Sequence, residues 1–151
     1  MTKSRKTTPF PQANNLGLVV NVLRSIGKNK STTSKDVAKQ FGLTQRQGSY
    51  YIGALSWLGL AERDGETYRL TNEGQRVYRF NTAQKMRYIA KMTMANPVFS
   101  KVYTNKRVTK TDMRKAKMHK LSGSTQARRV STARSWRQQI QGYNALPSVA
   151  A

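Results

Sequence analysis

The chain has 151 residues, with 28 Lys and Arg against 6 Asp and Glu, one His and no Cys, for a formal net charge of +22. This length holds one domain or two small ones, and a mean hydropathy of −0.70 with no long apolar run excludes a membrane-spanning helix. Without Cys there is no disulfide framework and no thiolate metal site, and so dense a positive charge repels itself unless an anion neutralises it, nucleic acid being the leading class of partner.

Residues 1–15, with Pro9, Pro11, paired Thr and paired Asn, read as a flexible basic arm whose Lys3, Arg5 and Lys6 are available to phosphates or a groove. A helix is expected from Leu16, with Val19, Val22, Leu23 and Ile26 on one buried face and Gly27 as its stop. Ser34 is the expected N-cap of a short second helix that carries Val37, Ala38 and Phe41 and ends at Gly42. Thr44 caps a third, with Tyr51, Ala54, Leu55 and Leu58 as its apolar stripe and Gln45, Arg46, Gln47, Ser49 and Tyr50 at its N-terminal end or other face. A short helix, a tight turn with Gly and a longer polar-faced helix make a helix-turn-helix pattern. In residues 60–70 the period changes to that of two short strands around Asp64-Gly65, a hairpin signal, and Thr71 and Asn72 then open a fourth helix with Val77 and Phe80.

The run TSKDVAKQFGLTQRQGSYYIGALSWLGLAERDGETYRLTNEGQRV resembles a winged helix-turn-helix DNA-binding domain, and LGLAERDGETYRLTNEG resembles its wing and the helix start that follows. The resemblance spans about residues 15–80 and implies three helices and a β-hairpin wing, with base contacts from the third helix.

The composition shifts near Asn81. Residues 1–81 carry 13 Lys and Arg against 5 acids, a net +8, whereas residues 82–151 carry 15 against Asp112 alone, a net +14. Soluble surfaces usually intersperse both signs, so the second half reads as facing a polyanion. No helix joins a basic face to a wide Trp/Phe/Leu face, which disfavours a membrane surface. Thr82 is the expected cap of a helix with Met86, Ile89, Ala90 and Thr93 on one side; Asn96-Pro97 interrupts it, and Val98, Phe99, Val102 and Tyr103 continue it. Thr109 to Asp112 fits a capping box that opens a helix to about Lys120, Ser122-Gly123-Ser124 breaks the chain, and a last helix runs from Thr125 to about Gln141 with Arg129, Ala133, Trp136 and Ile140 along one stripe.

The segments MANPVFSKVY and LSGSTQARRVSTARSWRQQI resemble a helical module that follows winged helices in some restriction-modification proteins, although Gln138 and Gln139 stand where apolar residues are expected. That resemblance implies a DNA-contacting last helix. The expected organisation is therefore mainly α with a small β-hairpin wing: an arm at 1–15, a winged helix at 16–81, a second helix-turn-helix-like unit at 82–145 and a tail at 146–151.

Base edges lie deep in the major groove and demand forked donors and acceptors near a helix start. Gln45, Arg46, Gln47 and Ser49 supply these for the first unit, and Ser124, Thr125, Gln126, Arg128, Arg129 and Thr132 for the second. Arg63 and Arg69 on the wing, with Lys106, Arg107, Lys110, Arg114, Lys115, Lys117, Lys120 and Arg134, are the candidate phosphate contacts, which position without specifying. Against this, the polar faces can be merely solvated, Arg63 and Arg69 can pair with Glu62 or Glu66, and Tyr50 and Trp57, able to stack on bases, can equally be core. Signals for catalysis are poor: His119 lies among Lys and Arg, and the acids form no Asp/Glu-x-Lys string of the kind nuclease metal sites use. Tyr51-Ile52-Gly53 is half of a nuclease motif whose other half is absent. The expectation is a sequence-specific binder of double-stranded DNA that is no enzyme and needs no cofactor or metal. A protein partner would supply catalysis or regulation, a structured-RNA or ribosome-associated binding protein is the alternative, and a start without an apolar signal stretch leads to an expected cytoplasmic, nucleoid-associated location.

Overall fold

A computed structural model describes residues 10–146; Lys3, Arg5 and Lys6 and the tail from residue 147 lie outside the described residues. The described chain forms α1 (Leu16–Asn29), α2 (Ser34–Phe41), α3 (Gln45–Trp57), β1 (Ala61–Asp64), β2 (Thr67–Leu70), α4 (Asn72–Tyr78), α5 (Thr82–Thr93), α6 (Pro97–Tyr103), α7 (Lys110–Lys115) and α8 (Gly123–Gly142). It is mainly helical, with one two-stranded antiparallel hairpin.

Side-chain caps set most of the boundaries. Thr33, Thr44, Thr71, Asn81, Asn96, Thr109 and Ser122 each accept a backbone N–H of the turn that follows, so the caps at Thr33 and Asn81 fall one residue before the expected Ser34 and Thr82. Pro97 sits in the first turn of α6, where its missing N–H costs nothing. Gly27 does not stop α1, which continues to Asn29; a Cβ there would lie 2.4 Å from the Tyr78 ring, so the glycine lets α4 approach. The hairpin turns at Gly65-Glu66, one residue later than expected, because Asp64 pairs with Thr67; Gly65 takes the positive φ of 67°. The loop before α2 adds a bridge from Thr32 to Tyr68 on the β2 side of the hairpin. Phe80 lies beyond α4, and α7 stops at Lys115, five residues short of expectation, where Lys117 takes a φ of 60° and Met118 turns into the core.

One apolar core runs from Phe10 to Ala145 and does not part at Asn81. Its hub is Phe99 on α6, whose ring lies 5.1 Å from Phe10, 5.5 Å from Trp57, 5.3 Å from Trp136 and 5.6 Å from Tyr103. Four separate segments thus meet in tilted and stacked ring contacts, and Trp57 belongs to this cluster and not to a base-stacking surface. Residues 10–15 are likewise no free arm. Phe10 and Ala13 are buried, Trp136 Nε1 donates to the Ala13 carbonyl at 2.6 Å, and Ser135 Oγ and Gln139 Nε2 donate to that of Asn14 at 2.7 and 3.0 Å. Gln139, out of place on an apolar stripe, is there to bind this strap. Its Oε1 also accepts the Gly17 N–H at 3.0 Å.

The helix pairs in the two halves differ. α2 packs closely on α3, at a distance only Gly48 permits, since a Cβ there would come within 2.5 Å of the Ser34 carbonyl oxygen. α7 leans instead on α6, tied by an Asp112–Lys101 ion pair of 3.2 Å, so the second half does not repeat the α2–α3 pairing.

Candidate nucleic-acid interface

The N-terminal end of α3 projects from the core because its buried side is set by Gly48, Ile52, Ala54 and Leu55; Tyr51, expected in that stripe, is only half-buried. Gln45, Arg46 and Ser49 are exposed on the opposite ridge. Gly53 continues this ridge, and a Cβ there would meet nothing within 4 Å. Arg46 Nε donates to the Tyr50 hydroxyl at 2.7 Å and its guanidinium lies 5.7 Å from the ring centroid, which holds both side chains. Gln47 is occupied locally. Its Oε1 accepts the Thr44 N–H at 3.0 Å while its own N–H donates to Thr44 Oγ1 at 3.1 Å, a closed capping box.

On α8 the six expected readers separate by helical angle. Ser124 and Arg128 are exposed, and Thr125 is half-buried, its Oγ1 accepting from Ser122 Oγ at 2.9 Å and Arg128 Nη2 at 3.3 Å. Gln126 Nε2 donates to the Met118 and Leu121 carbonyls at 2.9 and 3.2 Å, fastening the turn that leads into the helix. Thr132 is buried at 2% exposure and donates to Asn14 Oδ1 at 2.5 Å. Gln47, Gln126 and Thr132 are therefore structural, each because its polar atoms complete a cap, a turn or the strap. Arg129 is half-buried, its Nε enclosed and without a hydrogen-bond partner. Burial, and next to it the charge of Arg128, push its pKa down, while Tyr50 of α3 pulls it back up. The exposed face of α8 carries Ser124, Arg128, Ser131 and Arg134. Ser131 was missed, though its spacing of three from Arg128 was legible.

The phosphate candidates fall into three groups. On the hairpin, Arg63 Nε donates to the Gly65 carbonyl at 2.9 Å, and Arg69 pairs with Glu62 at 3.4 Å and Asp64 at 3.8 Å, so both are partly used within the hairpin. Lys106, Arg107 and Arg134, joined by Arg137, line a groove of ≈ 760 Å³ between the loop after α6 and one flank of α8, floored by Val102, Val108 and Val130. Lys110, Arg114, Lys117 and Lys120 are exposed on α7 and the turn after it, and Lys115 edges a separate hollow beside Trp57 and Pro97.

Glu73 is engaged within the fold. Glu73 binds Arg76 at 2.8 Å and accepts from the Tyr88 hydroxyl at 2.8 Å, contacts that hold its pKa near 2, with Arg76 the largest cause. Among the described residues no three His, Asp or Glu gather where they could hold a metal ion, and no helix is long and apolar enough to cross a membrane. Chemically the surface offers forked donors, hydroxyls and uncompensated positive charge. No curated protein and no solved structure matches the chain. Residues 18–144 do match the family described as a domain of unknown function (DUF7226), and with most of its length covered the chain belongs to that family.

Proposed function

We propose that the protein binds double-stranded DNA in a sequence-specific way. The observation that supports this best is the exposed ridge of α3 (Gln45, Arg46, Ser49) together with the exposed face of α8 carrying Arg128, on a chain with a net charge of +22. The order of three helices and a hairpin, with α2 laid on α3 and the Thr32–Tyr68 bridge beside the hairpin, supports a winged helix in which α3 enters the major groove and the hairpin flanks it. In this reading α8 is a second contact helix fixed to the first by the shared core, and the cations of the 106–107 loop, α7 and Arg134 hold phosphates. The role is recognition, with no catalytic step assigned; the protein acts as a transcription regulator or as the recognition component of a restriction-type or mobile-element system, and a nucleoid location follows from the ligand.

Selection from a random duplex pool, with a structured-RNA pool run in parallel, tests the reading. A single enriched duplex motif is the expected result. Enrichment from the RNA pool alone would replace DNA with RNA as the ligand.

A further inference from the structure

The groove of ≈ 760 Å³ beside α8 is lined by Gly123, Ala127, Val130, Arg134, Arg137 and Gln141. These positions recur at steps of three and four residues, so they share one face of the helix and span about 27 Å of its axis. The first half of that stripe is low: a Cβ on Gly123 would meet nothing within 4 Å, and Ala127 is exposed. Across the groove Val108 and Met113 are only half-buried, which leaves apolar surface uncovered. Lys106, Arg107, Arg134 and Arg137 stand around this floor, and no carboxylate lines it. Among the described residues the ion pairs are made by Arg69, Arg76 and Lys101, and none by these four. Arg137 reaches the Tyr103 carbonyl and Gln141 Oε1 at 3.5 Å each, the long limit of a hydrogen bond.

A duplex does not match this surface. At 100° per residue Arg128 lies about 140° around α8 from the centre of the stripe, so DNA read by Arg128 covers another side of the helix. A phosphate backbone also gains nothing from an apolar floor. A second copy would bring another +22 to the same place. Residues 1–9 and 147–151 of the chain contain no Asp or Glu to answer the cations. We propose that the groove docks an acidic amphipathic helix of a protein partner. Its apolar side chains rest on Val102, Val108, Met113 and Val130, and its carboxylates meet the four cations. Such docking stands whether or not DNA binds elsewhere. One consequence does rest on the DNA reading: Lys106, Arg107 and Arg134 cannot hold phosphates and carboxylates together, so an occupied groove weakens the grip on a duplex.

The test uses the full chain and a fluorescent peptide of about 18 residues, made of Leu, Ala and Glu with Leu at steps of three and four. A peptide of the same composition, scrambled to abolish the stripe, measures attraction by charge alone. The native chain should bind the amphipathic peptide about tenfold more tightly than the scrambled one. Ala127→Gln, an exposed change that raises the floor, should lose about fivefold, and Arg107→Gln with Arg134→Gln about tenfold. Arg87→Gln with Lys91→Gln, the same loss of charge on α5, should cost threefold or less. Equal binding of the two peptides, or equal losses in the two double variants, would overturn the groove in favour of general attraction to polyanions. A fall in random-duplex affinity in Ala127→Gln with no fall in peptide affinity would overturn it in favour of a nucleic-acid strand. Saturating amphipathic peptide should lower duplex affinity several-fold. Groove-dependent peptide binding by a chain that binds no duplex would uphold the docking site and remove the DNA reading.

Discussion

Arg128 and Arg129 are neighbours in sequence but about 100° apart around α8, and that angle divides their roles. Arg128 is exposed with Ser124 and Ser131, whereas Arg129 is half-buried with its Nε enclosed. Arg128→Ala should change the motif recovered by duplex selection, at a cost of ~1–3 kcal/mol in discrimination, and leave the melting temperature nearly constant. Motif logos that are unchanged in Arg128→Ala would move base reading to α3 alone. Gly53 offers a sharper case, since a methyl group there meets nothing in the fold. Gly53→Ala should stabilise α3 by up to about 1 kcal/mol through helix propensity. If the α3 ridge lies against DNA, the same methyl should weaken duplex binding, so that thermal melting and affinity move in opposite directions. Trp136 belongs to the interior, at 0% exposure with its indole N–H on the Ala13 carbonyl. Trp136→Ala should cost ~3–5 kcal/mol in denaturant unfolding.

Among the elements, α7 shows how six residues hold a helix at all. Thr109 and Asp112 close its capping box, and the Asp112 carboxylate also pairs with Lys101 of α6. The Thr109 backbone N–H foremost, with help from Lys101, holds the Asp112 pKa below its ordinary value. A carboxylate whose pKa is depressed in the folded state stabilises fully above its ordinary pKa, near 3.8 here, and loses that contribution as pH falls through the folded value. Glu73, held near 2 from an ordinary 4.5, adds a second loss over the window between those values. Melting temperature should therefore fall below about pH 4.5, and Asp112→Asn should show a shallower fall than the native chain. A parallel pH dependence in the two would mean that this cap carries no ionic stabilisation. The 10–15 strap works similarly by geometry: Asn14 accepts from Thr132, Ser135 and Gln139, three residues on one side of α8.

At the scale of the molecule, charge and core pull in opposite directions. A net +22 opposes compaction, while one core joined through Phe99 resists it as a unit. Far-UV and near-UV circular dichroism should report a single coincident unfolding transition; two separated transitions would mean that the halves melt independently. Added salt screens the repulsion and should raise stability, whereas duplex affinity should fall steeply. With roughly 6–10 phosphate contacts the log-log slope should lie between about −5 and −9, and a slope shallower than about −3 would leave most of the charge facing solvent.

Local chemistry carried much of this protein into view. The side-chain caps at Thr44, Thr71 and Thr109, the Pro97 helix start and the apolar spacing of α1 and α6 are set by contacts within a few residues, so their patterns survive in the sequence. The charge alone is the basis for expecting a polyanionic partner. Tertiary packing decided the rest. Nothing local marks Phe10 to Asn15 as a strap, because its partners on α8 lie more than a hundred residues away. Nothing local tells Thr132 or Gln126 from a base reader, since a hydroxyl or an amide looks the same whether it faces water or closes a buried turn. The same holds for Arg129: a cation reads as surface until the fold half-buries it and encloses its Nε without a partner.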